Sequence, residues 1–310
     1  MKRKVIQLAG KTSVISLPNK WIRRFNIKKG DELDLEELGN NILIKIIKNE
    51  TEVRNISFNI DNFNERTLRY AASALHKLGY DEITFYYNKP KLNDVIQDLI
   101  KNLLLGFVVI EQTGKKVVLK NISNEVDSEF NSTLRRAFLV TISLSNSSLE
   151  AIEAGQFENL LSLINLEMSN NQLTSFCIRL INKGFYRELD KQQFITTIIW
   201  NLEKICDEYK AICVQLSKNT NKIPMEILDL YKEVNKFFYS YYELIYKFSV
   251  DNLNNLVSVK EAIINNLNIL VPKTRYELQL LNILWSILSK TSDMSSSIFA
   301  LHHLEFINPL

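Results

Sequence analysis

The sequence predicts a multidomain α+β protein with a small β-rich head, a small α/β middle unit and a body of six helices. Short runs that alternate polar and apolar residues dominate the first 48 residues. From about residue 124 onward, apolar residues instead recur at the 3.6-residue spacing of helices, and the stretch between shows both patterns. A chain of 310 residues has room for the three predicted domains, 1–48, 52–122 and 124–310.

The head is predicted to contain two β-hairpins that flank one short helix. Gly10 and Lys11 supply a turn between the first two runs, and Gly39-Asn40-Asn41 supplies another between the last two. Pro18 ends the second run because proline cannot donate to a ladder, yet it suits the start of a helix. A domain this small is marginal alone, so we expect a partner. The predicted strands are 4–8, 13–17, 32–36 and 42–47.

The head also contains a local excess of basic residues. From Met1 to Lys29 there are nine basic residues and no Asp or Glu, and acids begin at Asp31, although the formal net charge of the chain is only +3. A compact basic module fits nucleic-acid phosphates. The alternative is a solvated surface that keeps the protein soluble.

Three segments of the head resemble the SpoVT-AbrB swapped-hairpin DNA-binding domain. They are 10–13, 16–18 and 27–33, the last similar to the family pattern G-[hydrophobic]-K-x-G-D-x-[hydrophobic], with Asn26 at the first glycine position. The resemblance implies an obligate homodimer whose strands interleave. It also implies DNA contacts by Arg3, Lys4 and Lys11, to which the helix adds Lys20, Arg23 and Arg24 as secondary candidates.

The middle unit is predicted to have the order β-α-β-α-β-β. It lacks a glycine-rich phosphate loop and a nucleophile with a nearby base, and a lone His76 on its first helix is typical of a structural residue. Our interpretation is a ligand-sensing or spacer module. The predicted strands are 55–60, 83–87, 107–110 and 117–119, and the helices are 63–78 and 90–105.

The body is predicted to form two consecutive three-helix bundles, because helix-breaking residues separate six long segments. The predicted helices are 126–153, 157–182, 187–218, 225–249, 253–269 and 273–305.

Two pairs in the first bundle have the spacing of ligands on one helical face. Glu167 and Asn171 are four residues apart, as are Glu203 and Asp207. Neighbouring helices can bring such pairs together around a hard or borderline cation. Pairs of this kind are also common on solvated helix faces, and spacing alone favours that alternative.

The helical region resembles PhoU, the phosphate-uptake regulator, which has two three-helix bundles with metal-binding E-x-x-x-D motifs. Residues 200–210 are similar to one motif, and Glu167 to Asn171, followed by Arg179, to the other, with Asn171 in place of Asp. In the second bundle Asp293 matches a remnant, but Ser289 stands four positions before it. The resemblance implies a divalent or iron-type metal in the first bundle, at Glu167, Asn171, Glu203 and Asp207.

Composition points to a cytoplasmic protein. The three cysteines form no CxxC motif, which fits a reducing compartment. The basic start leads into strands rather than an apolar run, so no signal peptide is predicted. No long apolar window predicts a membrane span, so no membrane insertion is expected.

An AbrB-type head on a PhoU-like body is an arrangement typical of archaeal regulators. The resemblances imply a DNA-binding transcription regulator of phosphate uptake and homeostasis. Two alternatives are an adaptor that acts on a phosphate ABC transporter, with the head mainly for dimerisation, and an antitoxin-like partner, against which the large body argues. No enzyme is predicted, since no Ser/His/Asp or Cys/His arrangement is present and the three histidines lack ligand spacing.

Overall fold

A computed structural model describes residues 2–46, 53–88, 92–123, 125 and 128–306. Two compact units emerge, one within Met1–Glu52 and the other within Val53–Leu310. The middle unit and the helical body, predicted from the sequence as separate domains, therefore lie in the same compact unit.

The head has the predicted order of strand, strand, helix, strand and strand. β1 (Ile6–Leu8) pairs antiparallel with β2 (Thr12–Val14), and β3 (Leu33–Leu38) pairs antiparallel with β4 (Asn41–Ile46). Helix α1 (Asn19–Arg24) lies between the two hairpins in sequence. The strand bounds lie within two residues of their predictions except that β2 ends at Val14, three residues before the predicted end. Ile47, predicted as the end of the fourth strand, lies outside the described residues.

The end of α1 explains why an asparagine can stand at the family's glycine position. Asn26 has a φ of 49°, in the left-handed region that asparagine tolerates better than most residues. Its N–H donates to the Arg23 carbonyl and the N–H of Ile27 donates to the Ile22 carbonyl, the two bonds of a Schellman cap. The predicted turn that follows closes when the N–H of Lys28 donates to the Asp31 carboxylate at 2.8 Å.

The head has no hydrophobic core of its own. Among its described residues with an assigned exposure, none is buried. Val5, Leu35 and Ile42 are 67%, 64% and 63% exposed, although they belong to or adjoin strands. An isolated two-stranded hairpin is at best marginally stable in water. This head therefore needs another surface to cover its apolar residues.

The middle unit is a four-stranded mixed sheet with two helices. The sheet order is β5-β6-β8-β7, with β5 parallel to β6 and the other pairs antiparallel. Asn64 caps the first helix by accepting a hydrogen bond from the Thr67 N–H at 2.9 Å. The predicted start of the second helix at Pro90 lies outside the described residues. The elements are β5 (Asn55–Asn59), α2 (Glu65–Lys77), β6 (Glu82–Tyr86), α3 (Asn93–Asn102), β7 (Phe107–Gln112) and β8 (Lys116–Asn121).

The body contains seven α-helices among its described residues, because the last predicted helix is divided after Ser292. Helix α8 begins at Val250, three residues earlier than predicted, since Ser249 caps it by accepting from the Asn252 N–H. Short 3-10 segments at Phe157–Leu163 and Leu189–Lys191 precede α5 and α6. The helices are α4 (Ser128–Glu153), α5 (Ile164–Asn182), α6 (Gln192–Leu216), α7 (Met225–Tyr246), α8 (Val250–Ile269), α9 (Arg275–Ser292) and α10 (Ser295–His302).

The helices of the body contact one another extensively, and the predicted layout of two three-helix bundles stays a prediction. Helices α4, α5 and α6 contact one another, and so do α7, α8 and α9. The two groups also meet through α6 with α9 and α4 with α7, and one continuous hydrophobic core spans both. On the other side, α2 and α3 of the middle unit pack against α5. None of the helices in the described part of the chain is both long and apolar enough to cross a membrane.

Candidate nucleic-acid interface and buried ion clusters

The six predicted DNA-binding residues lie on three parts of the head, and all six are exposed. Arg3 and Lys4 precede β1, and Lys11 is the last residue of the turn between β1 and β2, in which Ala9 and Gly10 both have positive φ. The other three, Lys20, Arg23 and Arg24, project from α1. The structure thus presents every predicted cation to solvent, while the expectation of a single positive face stays a prediction.

The electrostatics of the head favour an anionic partner. Within the described residues, no carboxylate lies within ion-pair distance of Arg3, Lys4 or Lys11. The guanidinium of Arg24 lies 5.3 Å from the centre of the Phe25 ring, which orients it on α1. Arg3, Lys4 and Lys11 are exposed and therefore present their positive charge where an anion can approach.

The first predicted metal pair is a contact between its own two residues. Glu167 is only 2% exposed, and the Asn171 side-chain amide donates to its Oε1 at 2.6 Å. The ammonium of Lys210, on α6, lies 2.9 Å from the other oxygen, Oε2. Oε1 of Glu167 therefore has a hydrogen bond within the protein, whereas Oε2 has a counter-ion at contact distance without hydrogen-bond geometry. Within the described residues, the Asn171 Oδ1 is buried and has no hydrogen-bond partner either.

The second pair is also held by lysines. The ammonium of Lys204 lies 3.3 Å from Glu203 and 2.9 Å from Asp207, and Lys77 of α2 lies 3.8 Å from Glu203. The described residues contain no group of three or more His, Cys, Asp or Glu side chains placed to hold a metal ion. Lysines that already lie beside these carboxylates disfavour a divalent cation there, and metal binding at these four positions stays a prediction.

The most highly connected buried side chain of the body is Arg179 on α5. It is fully buried, and its guanidinium contacts Asp81 at 2.6 Å and Glu125 at 2.5 Å. It also donates to the carbonyls of Tyr80 at 2.5 Å and His76 at 3.2 Å. Sequence reasoning placed Arg179 only as a neighbour of the Glu167 pair. The signal it left unused was a charged residue inside the apolar run 176–181.

A second cation, Lys183, completes this cluster. Its ammonium contacts Asp81 at 2.5 Å and Glu125 at 2.9 Å, so two cations face two carboxylates. Burial alone would raise the pKa of Asp81, but hydrogen bonds from Lys183 and the Arg54 N–H, together with the charge of Arg179, lower it below its usual value. Because Asp81 precedes β6 and Glu125 follows β8, the cluster fastens the sheet to the helical body.

His76 is a neutral, structural histidine beside this cluster. It is fully buried, its Nε2–H donates to the Leu105 carbonyl at 3.1 Å, and its ring packs edge-on against Phe107. Burial lowers its pKa to about 3, with smaller contributions from the charges of Arg179 and Lys77. This agrees with the structural role predicted from the sequence.

Comparison with known proteins gives a match to the head only. Residues 6–52 match the family described as "Antidote-toxin recognition MazE, bacterial antitoxin". No significant match was found among curated proteins or among solved structures. The match covers less than a sixth of the chain and does not reach the helical region, so the resemblance to PhoU gains no support from it. Residues 6–52 carry an N-terminal domain of the MazE type, in the AbrB-like swapped-hairpin class.

Proposed function

We propose that the protein is a DNA-binding transcription regulator that acts as a homodimer through its head. The observation that carries this proposal is a combination found in the head. Residues 1–29 hold nine cations and no acid, and large apolar side chains on its described strands, among them Leu35 and Ile42, remain mostly exposed.

Dimerisation follows from the exposed hairpins. Leu35 and Ile42 lie on paired strands, yet each exposes more than three-fifths of its side chain. Burial of apolar surface contributes about 25 cal/mol per Å², so leaving both hairpins uncovered is costly. A second copy has the same exposed apolar surfaces, and two copies can interleave their hairpins into one shared core.

DNA binding follows from the charge that such a dimer would gather. Six exposed cations per protomer, Arg3, Lys4, Lys11, Lys20, Arg23 and Arg24, become twelve in a dimer. Each phosphate contact lowers the slope of log affinity against log salt by about 0.9 on duplex DNA. Contacts of this kind position a protein on DNA but carry no sequence information.

The narrower proposal is that the regulated genes serve phosphate uptake. Its support is the resemblance of the helical region to PhoU, together with the two groups of three contacting helices. The adaptor alternative gives the body a phosphate transporter as its partner and uses the head only for dimerisation. DNA binding by the full chain distinguishes the two.

The second candidate is an antitoxin-type regulator, and the family that residues 6–52 match favours it directly. Such a protein would bind a toxin as well as DNA. The helical body is far larger than the short tails with which antitoxins of this kind bind their partners. A protein recovered from the native cell in stoichiometric amounts with this chain would support this candidate.

The test is fluorescence anisotropy of the full-length protein on the DNA upstream of its own gene, over a range of salt. We expect Arg3→Ala with Lys11→Ala to weaken binding on the order of tenfold or more and to flatten the salt dependence. The matched control is Lys218→Ala, which removes an exposed lysine from the body. Sedimentation must show that both variants remain dimers.

Two outcomes would overturn the regulator. One is the absence of any binding at moderate salt by a dimeric wild-type protein, which would favour the adaptor. The other is an equal loss of affinity in the head variant and in the Lys218 control, which would place the DNA contacts outside the head.

A further inference from the structure

We infer that Lys210 is the resident cation of the Glu167–Asn171 cluster, so that α5 and α6 are joined by a lysine where the resemblance to PhoU implies a metal. This inference concerns the body alone and does not depend on the DNA-binding proposal.

The first step is the state of Glu167. Its side chain is 98% removed from solvent, and a buried carboxylate without a counter-charge is strongly unfavourable. Lys210 approaches Oε2 to 2.9 Å, and the Asn171 amide donates to Oε1 at 2.6 Å. The chain therefore supplies this carboxylate with one positive charge and one hydrogen-bond donor, although the approach of Lys210 to Oε2 lacks hydrogen-bond geometry.

The second step is the choice of ligand at position 171. A divalent cation needs the oxygen of Asn171 to face it, but the amide nitrogen faces Glu167 instead. Asn171 also adds no negative charge, whereas an aspartate there would have given the cluster a second one. Glu167 and Asn171 together therefore supply a single negative charge, and Lys210 already neutralises it. Their affinity for a divalent ion should be low.

The third step is the charge balance of the neighbouring pair on α6. Lys204 contacts both Glu203 and Asp207, and it also lies 5.1 Å from the centre of the Trp200 ring. With Lys77 at 3.8 Å from Glu203, three carboxylates of the predicted metal positions face three ammonium groups, namely those of Lys77, Lys204 and Lys210. The predicted metal centre is thus electrically neutral without any ion.

The lysine also explains how the helices are joined. Lys210 is 38% exposed, so its stem crosses from the surface of α6 to reach an acid in the interior face of α5. A metal could be removed by chelation, whereas this link is part of the chain. The α5–α6 contact should therefore be insensitive to metal and to chelators.

The first test is the metal content of the purified full-length protein, with thermal unfolding in EDTA, Mg²⁺, Mn²⁺, Fe²⁺ or Zn²⁺. We expect no stoichiometric metal and the same Tm in all conditions. A retained ion, or a rise in Tm on adding a metal that Glu167→Gln abolishes, would overturn the inference and restore the metal centre.

The second test is a double-mutant cycle between Lys210 and Glu167. Lys210→Met should lower Tm by roughly 5 °C, because it leaves a buried carboxylate unpaired. Adding Glu167→Gln, which keeps an acceptor for the Asn171 amide, should recover most of that loss.

The matched control for the cycle is Lys218→Met, in an exposed lysine just after α6, which should leave Tm unchanged. If Lys210→Met behaves like this control, or if Glu167→Gln gives no recovery, Lys210 is not the counter-ion and the inference fails.

Discussion

The head and the body solve the burial of apolar and charged groups in opposite ways. In the head no described residue with an assigned exposure is buried, and apolar strand residues such as Leu35 and Ile42 are more than three-fifths exposed. In the body even an arginine, Arg179, is fully buried, with carboxylates and carbonyls around it. The body therefore has a core within one chain, whereas the head, under the dimer proposed above, completes its core with a second copy.

The largest expected effect is the difference between substitutions at two exposed isoleucines, one in the head and one in the body. Ile42 in the head is 63% exposed and Ile269 at the end of α8 is 76% exposed. We expect Ile42→Asp to abolish the dimer and DNA binding, because a carboxylate would enter an apolar interface. Ile269→Asp should leave both intact, since solvent already surrounds that position. Sedimentation and anisotropy measure the two outcomes, and equal behaviour of the two variants would remove the contrast between head and body.

The next effect tests whether Arg179 fastens the sheet to the helices. Arg179→Met should destabilise the body by about 3–5 kcal/mol, because Asp81 and Glu125 lose a buried partner. Denaturant unfolding followed by circular dichroism measures this. Lys236→Met, at an exposed position of α7, is the control and should change stability by less than about 0.5 kcal/mol. DNA binding by the head of Arg179→Met should persist under conditions in which the protein remains folded.

A smaller and graded effect is the pH dependence that His76 gives to the body. Its pKa is about 3 in the folded state against 6.5 for an ordinary histidine, so between these values the unfolded chain binds one more proton. Stability should therefore fall as pH falls through this window, by about 1.4 kcal/mol per pH unit from this group. The lowered pKa of Asp81 adds a further loss only below about pH 4, as its carboxylate is protonated.

His76→Gln is the variant that isolates this contribution, since glutamine retains a donor for the Leu105 carbonyl. Urea unfolding at pH 7, 6, 5 and 4 should give a flatter profile for the variant than for the wild type. Parallel profiles would show that the imidazole is not what makes the body acid-sensitive.

Local chemistry made many of the elements predictable. The turn residues Gly10 and Gly39 mark both hairpins of the head, and Pro18 directly precedes α1. In the body the apolar spacing predicts where the helices lie, but it places Ser249 at the end of the helix 225–249, whereas in the structure Ser249 caps α8. No glycine or proline near Ser292 indicates that the last predicted helix is divided there.

How well each candidate site could be predicted depended on how far apart in the sequence its residues lie. The cations of the head could be identified because charge composition is a property of consecutive residues. The partners of Glu167 could not, since spacing along α5 shows Asn171 but not Lys210, which lies 43 positions later in the chain on α6. The partners of Arg179 come from residues 76–81 and from Glu125, far from α5 in sequence.

By itself the sequence determined the basic head, the order of its strands and the periodicity of the helices, because each depends on interactions between residues close in the chain. Only the tertiary structure decided which lysine meets which carboxylate and where the buried arginine lies, because those pairs form between helices and strands that the sequence does not align. The head shows the same difference: its apolar residues can be identified from the sequence, but their burial depends on contact with another surface.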